Sequence, residues 1–302
     1  MSARPVIVGL GEILWDVYPD IAHFGGAPAN FACHAASLGA ESWMVGSVGT
    51  DELGEHALEK LRAHGVRCGH VSRDDRRATG RVRVTLNAAG QASYDFAADT
   101  AWDHLAWSND LAALAARCDA VCFGTLGQRS PVSRETIRRF VEATPAIALR
   151  VFDVNLRQSF YDAETIRASL QLASAVKLND EELPIVGELC GLRTFTHREM
   201  LIELAKRFDL RFAAVTRGPH GSLLIADAAE DDCPAPSASV VDTVGAGDAF
   251  TAALVMGFLK GLPLRMINRH ANAIASFVCS QNGATPELPG TLRSLVSTTP
   301  RL

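Results

Sequence analysis

DTVGAGDAFTAALVMGFLK occupies residues 242–260. Two acids, Asp242 and Asp248, bracket a run of small residues, and an apolar stretch follows. From Ala249 to Lys260 nearly every face is apolar, which predicts a central, buried helix closed by Gly261 and Pro263. The first N–H groups of such a helix lack intrahelical partners and carry the positive end of its dipole. Gly245, Ala246 and Gly247 put almost no side chain there, so an anion can approach the backbone closely. Asp248 stands in the first turn. A carboxylate beside an anion-binding turn suits a reaction in which a hydroxyl loses a proton while negative charge develops nearby. Phosphoryl transfer to an alcohol has that form. An N-capping acid followed by glycines for tight helix packing has the same spacing, and spacing alone leaves both readings open.

Outward from this segment, short apolar runs alternate with helical patterns. PVIVGL (5–10), WMVGSVG (43–49), AVCFGTL (120–126), AIALRVFDVN (146–155), AVKLN (175–179) and FAAVTRG (212–218) predict buried strands, being too short for helices and rich in β-branched residues. PANFACHAASLG opens on a proline and ends at Gly39, and ELGEHALEKLRAHG ends at Gly65, as helices do. THREMLIELAKRF carries a Thr196-x-x-Glu199 capping box and one apolar stripe of Met200, Leu201, Leu204, Ala205 and Phe208. Strand–helix alternation implies an α/β fold with a mainly parallel sheet covered on both faces.

Two segments break the rhythm. EILWDVYPDIAHF (12–24) and TGRVRVTLNAAGQASYDFA (79–97) alternate apolar with polar residues, and the second predicts a hairpin around NAAGQ. Alternation means one wet face, so these segments predict a small antiparallel sheet standing off the main layer. DAAEDDCPAPSAS (227–239) predicts an exposed polar connection.

The 302 residues fit one large domain, and 48% hydrophobic with 21% charged residues is ordinary for a globular chain. A net charge of −5 offers no basic field to nucleic acid or an anionic membrane. No apolar run is long enough to span a bilayer, and MSARPVIVGLGEIL lacks the basic and apolar regions of a signal peptide. The seven cysteines are scattered without a CxxC, which argues against a disulfide framework or zinc site and fits a reducing cytoplasm. The nine histidines form no HExxH, so none is read as a metal ligand. VIVGLGEIL begins like a dinucleotide fingerprint, but Leu14 takes the third glycine position and Glu12 interrupts the turn. No GxxxxGK[ST] occurs, which excludes a P-loop.

GGAPANFACHAASLG (25–39) together with DTVGAGDAFTAALV (242–255) resembles the two motifs of the ribokinase-like sugar kinases, the PfkB family. VGSVGTDELG (45–54), FDVNLR (152–157), KLNDEE (177–182) and VTRGPHGSLL (215–224) follow in the family's order, so the resemblance covers almost the whole chain. It implies a three-layer α/β/α kinase domain over 1–302, with a small β lid from about 12–24 and 79–99 that closes over a sugar and excludes water. By the resemblance, Asp248 is the catalytic base, and Gly245, Ala246 and Gly247 form the anion hole. Asn179 and Glu182 hold Mg²⁺, mostly through water, as hard oxygen ligands do. Thr216, Gly218 and Gly221 form the loop around ATP, and Asn272 lines the adenine pocket. Asp16, Gly25, Gly26, Asn30 and the lid aromatic Phe96 contact the sugar. Many members bind K⁺ beside the anion hole; the matching positions are Asp242, Val244, Val278, Gln281 and Gly283, with Glu287 where a small polar residue often completes the site. In some members the lid also forms a homodimer.

GEILWDV, FDVNLR and DTVGAGDAF look most like the fructokinase branch, and the same features occur in 2-keto-3-deoxygluconate kinases. In both branches an arginine commonly follows the lid aromatic. Here Ala97 stands at that position, which weakens the case for an acidic sugar, since its carboxylate would lack a bidentate partner. Arg157 remains to reach a substrate oxygen. A nucleoside kinase and a non-catalytic sugar-binding protein are the alternatives, and retention of both the base and the metal pair argues against the second.

Overall fold

The computed structural model describes residues 4–86, 92–192, 196–227 and 229–294. The first third of the chain runs β1 (Val6–Leu10), β2 (Leu14–Val17), β3 (Ala22–Gly25), α1 (Ala27–Ser37), β4 (Glu41–Gly49), α2 (Glu52–Ala63), β5 (Arg67–Asp74), β6 (Gly80–Leu86) and β7 (Ala92–Phe96). There follow α3 (Asn109–Ala115), β8 (Ala120–Phe123), α4 (Pro131–Ala143), β9 (Leu149–Asp153), α5 (Ala163–Leu172), β10 (Ala175–Asn179) and α6 (Glu182–Leu189). The last part comprises α7 (His197–Arg207), β11 (Phe212–Thr216), β12 (Ser222–Ala226), β13 (Ala229–Cys233), α8 (Ala246–Leu259), α9 (Leu264–Cys279) and α10 (Gly290–Arg293).

Nine strands form the central sheet in the order β13-β12-β11-β10-β9-β8-β1-β4-β5. The pairings from β11 through β5 are parallel, and β12 and β13 add an antiparallel edge. Side chains alternate across the sheet, so each face has its own core. Val8, Val121, Phe152 and Val176 pack on one side with residues of α4, α5, α6 and α7. Ile7, Cys122, Val151 and Ala214 pack on the other with Phe31 of α1 and the helices α8 and α9. Residues Ala249–Gly257 of α8 are all buried, as its apolar composition requires. The Thr196–Glu199 capping box opens α7, with each side chain bonded to the other's backbone N–H.

One strand departed from sequence expectation. Ala229–Cys233, read as a loop, is edge strand β13, which pairs with β12 from Ala226↔Ala229 to Ser222↔Cys233. Its AEDDC sequence carries charge because one side of an edge strand meets water. β5, RCGHVSRD, closes the opposite edge and is polar for the same reason.

The second sheet has the order β3-β2-β6-β7. Two antiparallel pairs, β2–β3 and β6–β7, are joined through a parallel pairing of β2 with β6. Its members match the two alternating segments; the NAAGQ turn lies outside the described residues. Trp15, 6% exposed, turns into a core with α1, β4 and α2, and its indole N–H donates to the Leu53 carbonyl at 3.0 Å. Asp51 anchors the start of β6: its carboxylate accepts from the backbone N–H of Gly54 and Thr79 and from the Thr79 hydroxyl.

Candidate active site

α8 begins at Gly245, whose φ of +79° suits glycine. A Cβ there would also come within 2.2 Å of the Ala284 carbonyl oxygen, so no larger residue fits without moving that loop. The turn through Ala246 and Gly247 presents the first N–H groups of the helix, of which that of Ala246 reaches back to the Thr243 carbonyl at 3.4 Å. Asp248 follows, partly buried, and its Oδ2 accepts from the Asn30 amide at 2.9 Å. Asn30 is 3% exposed and stands in the first turn of α1. Burial first, and then the Asp153 charge, push the Asp248 carboxyl up to about 6; the Asn30 hydrogen bond and the Lys177 and Arg157 charges oppose that rise. A carboxylate with such a value accepts a proton well and is ionised at neutral pH.

Beneath this turn lies a network that sequence reasoning missed. The Lys177 ammonium donates to Asp153 Oδ1 at 3.1 Å, and both side chains are under 10% exposed. Asp153 Oδ2 accepts from the Thr251 hydroxyl at 2.7 Å, which ties β9 and β10 to the first turns of α8. A Cβ on Gly247 would meet Lys177 Nζ at 2.8 Å, so this glycine makes room for the ammonium. Burial alone would lower the Lys177 pKa; the charges of Asp153, Glu182 and Asp248 outweigh it and hold the ammonium above its ordinary value. The signal was in the sequence: a lysine inside the apolar strand AVKLN has to meet an acid.

Asn179 and Glu182 cap each other. Glu182 accepts from the backbone N–H of Asn179 and of Leu156, each at 2.9 Å, and Asn179 Oδ1 accepts from those of Glu181 and Glu182 at 3.0 and 2.7 Å. With these oxygens already engaged, the pair fits a magnesium ion held through water better than one bound directly. Among the described residues no group of three or more His, Cys, Asp or Glu side chains is arranged for a metal.

In the second sheet, Asp16 Oδ2 lies 3.1 Å from where a Cβ on Gly25 would sit. Burial raises the Asp16 pKa, with Arg157 and His23 opposing. Gly26 has φ +108°, and its Cβ position lies 2.5 Å from the Glu12 carbonyl oxygen. These glycines thus let strand and helix backbone meet. Phe96, at the end of β7, packs edge-on against Phe160, ring centroids 5.5 Å apart. The cation that reaches the Ala97 carbonyl is Arg129, at 2.7 Å. It is stacked 3.9 Å over Trp102 and held by two bonds to Asp103, so its charge is already matched. Arg157 is exposed, and its guanidinium donates to the Leu156 carbonyl.

At the other end, Thr216 closes β11, and Gly218 and Gly221 take positive φ in the turn to β12. The amide nitrogen of Asn272 turns inward to Ser222 Oγ and the Asn268 carbonyl, at 2.7 and 2.9 Å. Beside the start of α8, Asp242 accepts from the N–H groups of Val244 and Gly283 at 3.0 and 3.2 Å, bridging the two loops. The Val278 carbonyl accepts from Gln281 N–H. Glu287 points outward to Arg293.

Residues 22–290 match the pfkB family of carbohydrate kinases. The chain belongs to that family. It is 31% identical over 300 residues to a sugar kinase of Pyrococcus horikoshii, covering 92% of this chain and 91% of the relative. A structure of that archaeal protein in complex with ATP superposes with a TM-score of 0.81 at 29% identity, covering 96% of this chain and all of the other. Fructokinase-1 of Zea mays is 30% identical, with 95% and 96% covered. A fructokinase of Xylella fastidiosa with bound ATP shares the fold, with a TM-score of 0.82 at 21% identity over 95% and 96% of the two chains. The kinase therefore has the ribokinase-like architecture, a large mostly parallel sheet between helices and a smaller sheet beside it. Among its described residues no helix is long and apolar enough to cross a membrane.

Proposed function

We propose that this carbohydrate kinase transfers the γ-phosphoryl group of ATP to a hydroxyl of fructose, with Asp248 as the base. The observation that carries the reading is the Asn30–Asp248 hydrogen bond at the start of α8, which aims an acid of raised pKa at the mouth of an anion-binding turn. Asp248 takes the proton of the acceptor hydroxyl as the new O–P bond forms and the bond to the leaving ADP breaks. The N–H groups at Gly245, Ala246 and Gly247 stabilise the charge on the transferring group. Thr216, Gly218, Gly221 and Asn272 bind the nucleotide. Asn179 and Glu182 would hold a magnesium ion through water, and that ion would supply positive charge against the nucleotide phosphates. Asp16, Gly25, Gly26, Asn30, Phe96 and Arg157 form the sugar side. Arg129 is already paired with Asp103 and offers a substrate carboxylate nothing, which favours a neutral acceptor and leaves Arg157 as the cation that reaches a sugar oxygen. Fructokinases among the relatives at about 30% identity support fructose in particular. Exposed Ile21 and Tyr94 support a homodimer formed through this sheet, which sedimentation velocity tests.

A coupled ADP-release assay with magnesium-ATP against fructose, tagatose, ribose, 2-keto-3-deoxygluconate and adenosine tests the assignment. Fructose should give the highest kcat/KM. A tenfold preference for the acidic sugar or for adenosine would overturn it.

A further inference from the structure

In the central sheet β1 lies between β4, reached on one side, and β8, from which the chain continues on the other, so the strand order reverses between β1 and β8. Open α/β sheets bind ligands outside the carboxyl ends of the strands at such a reversal. Glu12 stands just past the end of β1, at that point. It is 2% exposed, and among the described residues its Oε2 has no hydrogen-bond partner. That oxygen lies 3.2 Å from the position a Cβ on Gly127 would take. The Glu12 main chain packs on Gly26, the cap residue of α1. Its carboxyl group faces the N–H of Ala27, the first residue of α1, a helix with no side-chain cap of its own. The same first turn carries Asn30, which holds Asp248.

A buried carboxylate oxygen with no donor is costly when charged and much less so when the group is neutral. The charges that face Glu12 are Asp248 on α8, which opposes its ionisation, and Arg157 beyond β9, which favours it. The Cys122 thiol of β8, itself pushed well above its ordinary value by burial, adds no charge.

We propose that Glu12 is a positioning residue that works as an uncharged carboxylic acid, bracing the start of α1, and through Asn30 the base Asp248, without setting a second negative charge beside that base. Burial, and after it the Asp248 charge, raise the Glu12 carboxyl to about 7 against the backbone N–H groups of Glu12 and Ala27 and the Arg157 charge, which oppose that rise. A carboxyl raised on folding keeps its proton in the folded chain after the unfolded chain has lost it. Stability therefore falls as pH rises from about 4.5 to about 7 and levels off above.

The role rests on Asp248 as base, but one arm of its test needs no substrate. Melting temperatures of wild type and Glu12→Gln are compared from pH 5 to pH 8.5. The variant, neutral throughout, should gain on wild type as pH rises. In the second arm, wild-type kcat with fructose and magnesium-ATP should fall several-fold between pH 7 and pH 9, as Glu12 ionises beside an already ionised Asp248. Glu12→Gln should lose that alkaline fall, while Glu12→Ala, which removes the brace, should lower kcat at every pH. Parallel melting curves would overturn the proposal, as would a hundredfold loss of kcat in Glu12→Gln at every pH. Should Glu12→Gln not fold, Glu12→Met, neutral and of similar length, carries the melting comparison. If no acceptor is turned over, the melting arm still decides the charge of Glu12 while the kinase assignment fails separately.

Discussion

Asn30 in the first turn of α1 donates to Asp248 in the first turn of α8 across 2.9 Å, although 218 residues separate them in sequence. The bond joins the two helix starts that the resemblance had connected only by motif. Asp248 should be the group whose ionisation limits kcat/KM at low pH. Its carboxyl is raised to about 6, and a base acts only when ionised, so the rate should fall as pH drops through that value. Asp248→Asn should keep the fold and lower kcat by roughly 10²–10⁴. Asn30→Ala removes a bond that favours the charged form, so the acid limb should move to higher pH by about one unit. The pH profile of kcat/KM checks both; turnover within tenfold of wild type in Asp248→Asn would contradict the assignment.

The Lys177–Asp153 pair should be the strut under the anion turn. Removing one partner of a buried pair leaves an unmatched charge and costs about 3–5 kcal/mol. Lys177→Met should therefore lower stability by that order in urea denaturation, and the double variant Lys177→Met, Asp153→Asn should recover part of it. Lys177 also favours the charged Asp248, so the surviving activity of Lys177→Met should show its acid limb at higher pH. A cost below about 1 kcal/mol would mean that water reaches the pair and screens it.

Most of the fold was legible because its signals are local. β1, β4 and β8 to β11 are apolar runs too short for helices, and α7 announces itself by a capping box. The edge strands β5 and β13 were not legible, since an edge position tolerates the same polar residues as a loop. At the site, the small-residue turn and Asp248 could be read from one stretch of chain. Arg129 could not: its pairing with Asp103 and its stacking on Trp102 form only when the chain beyond β8 meets the segment that follows the second sheet. In the sequence Glu12 is legible only as an interruption of a glycine turn, because its meaning depends on where α1 starts in space.

Glu182 should affect magnesium more than sugar. Its two oxygens accept from Asn179 and Leu156 N–H groups, and an amide in its place keeps one acceptor and loses the charge. Glu182→Gln should cost about 1 kcal/mol of stability through the lost hydrogen bond. In kinetics it should raise the magnesium concentration at half-maximal rate several-fold and leave the KM for fructose nearly unchanged. An equal loss of sugar affinity with an unaltered magnesium titration would contradict the role.

The two loops beside the anion turn should respond to potassium. Asp242 already links them, accepting from Val244 and Gly283, so the loops are poised rather than separate. A cation there would draw on the Asp242 carboxylate and on backbone carbonyls of Val244, Val278, Gln281 and Gly283. Glu287, paired outward with Arg293, leaves the approach open. Gly245 packs directly on Ala284, so ordering the second loop orders the start of α8 and its N–H groups without touching the sugar. An ordering gain of about 1 kcal/mol in the transition state raises turnover about fivefold. The measurement is kcat at saturating substrates in potassium, sodium and tetramethylammonium chloride at equal ionic strength. Potassium should be fastest, and Asp242→Ala should remove its advantage over tetramethylammonium. Identical rates in the three salts would reject the cation role and leave the assignment of Asp248 untouched, because Asp248 is held by Asn30 of α1 rather than by a side chain of these loops.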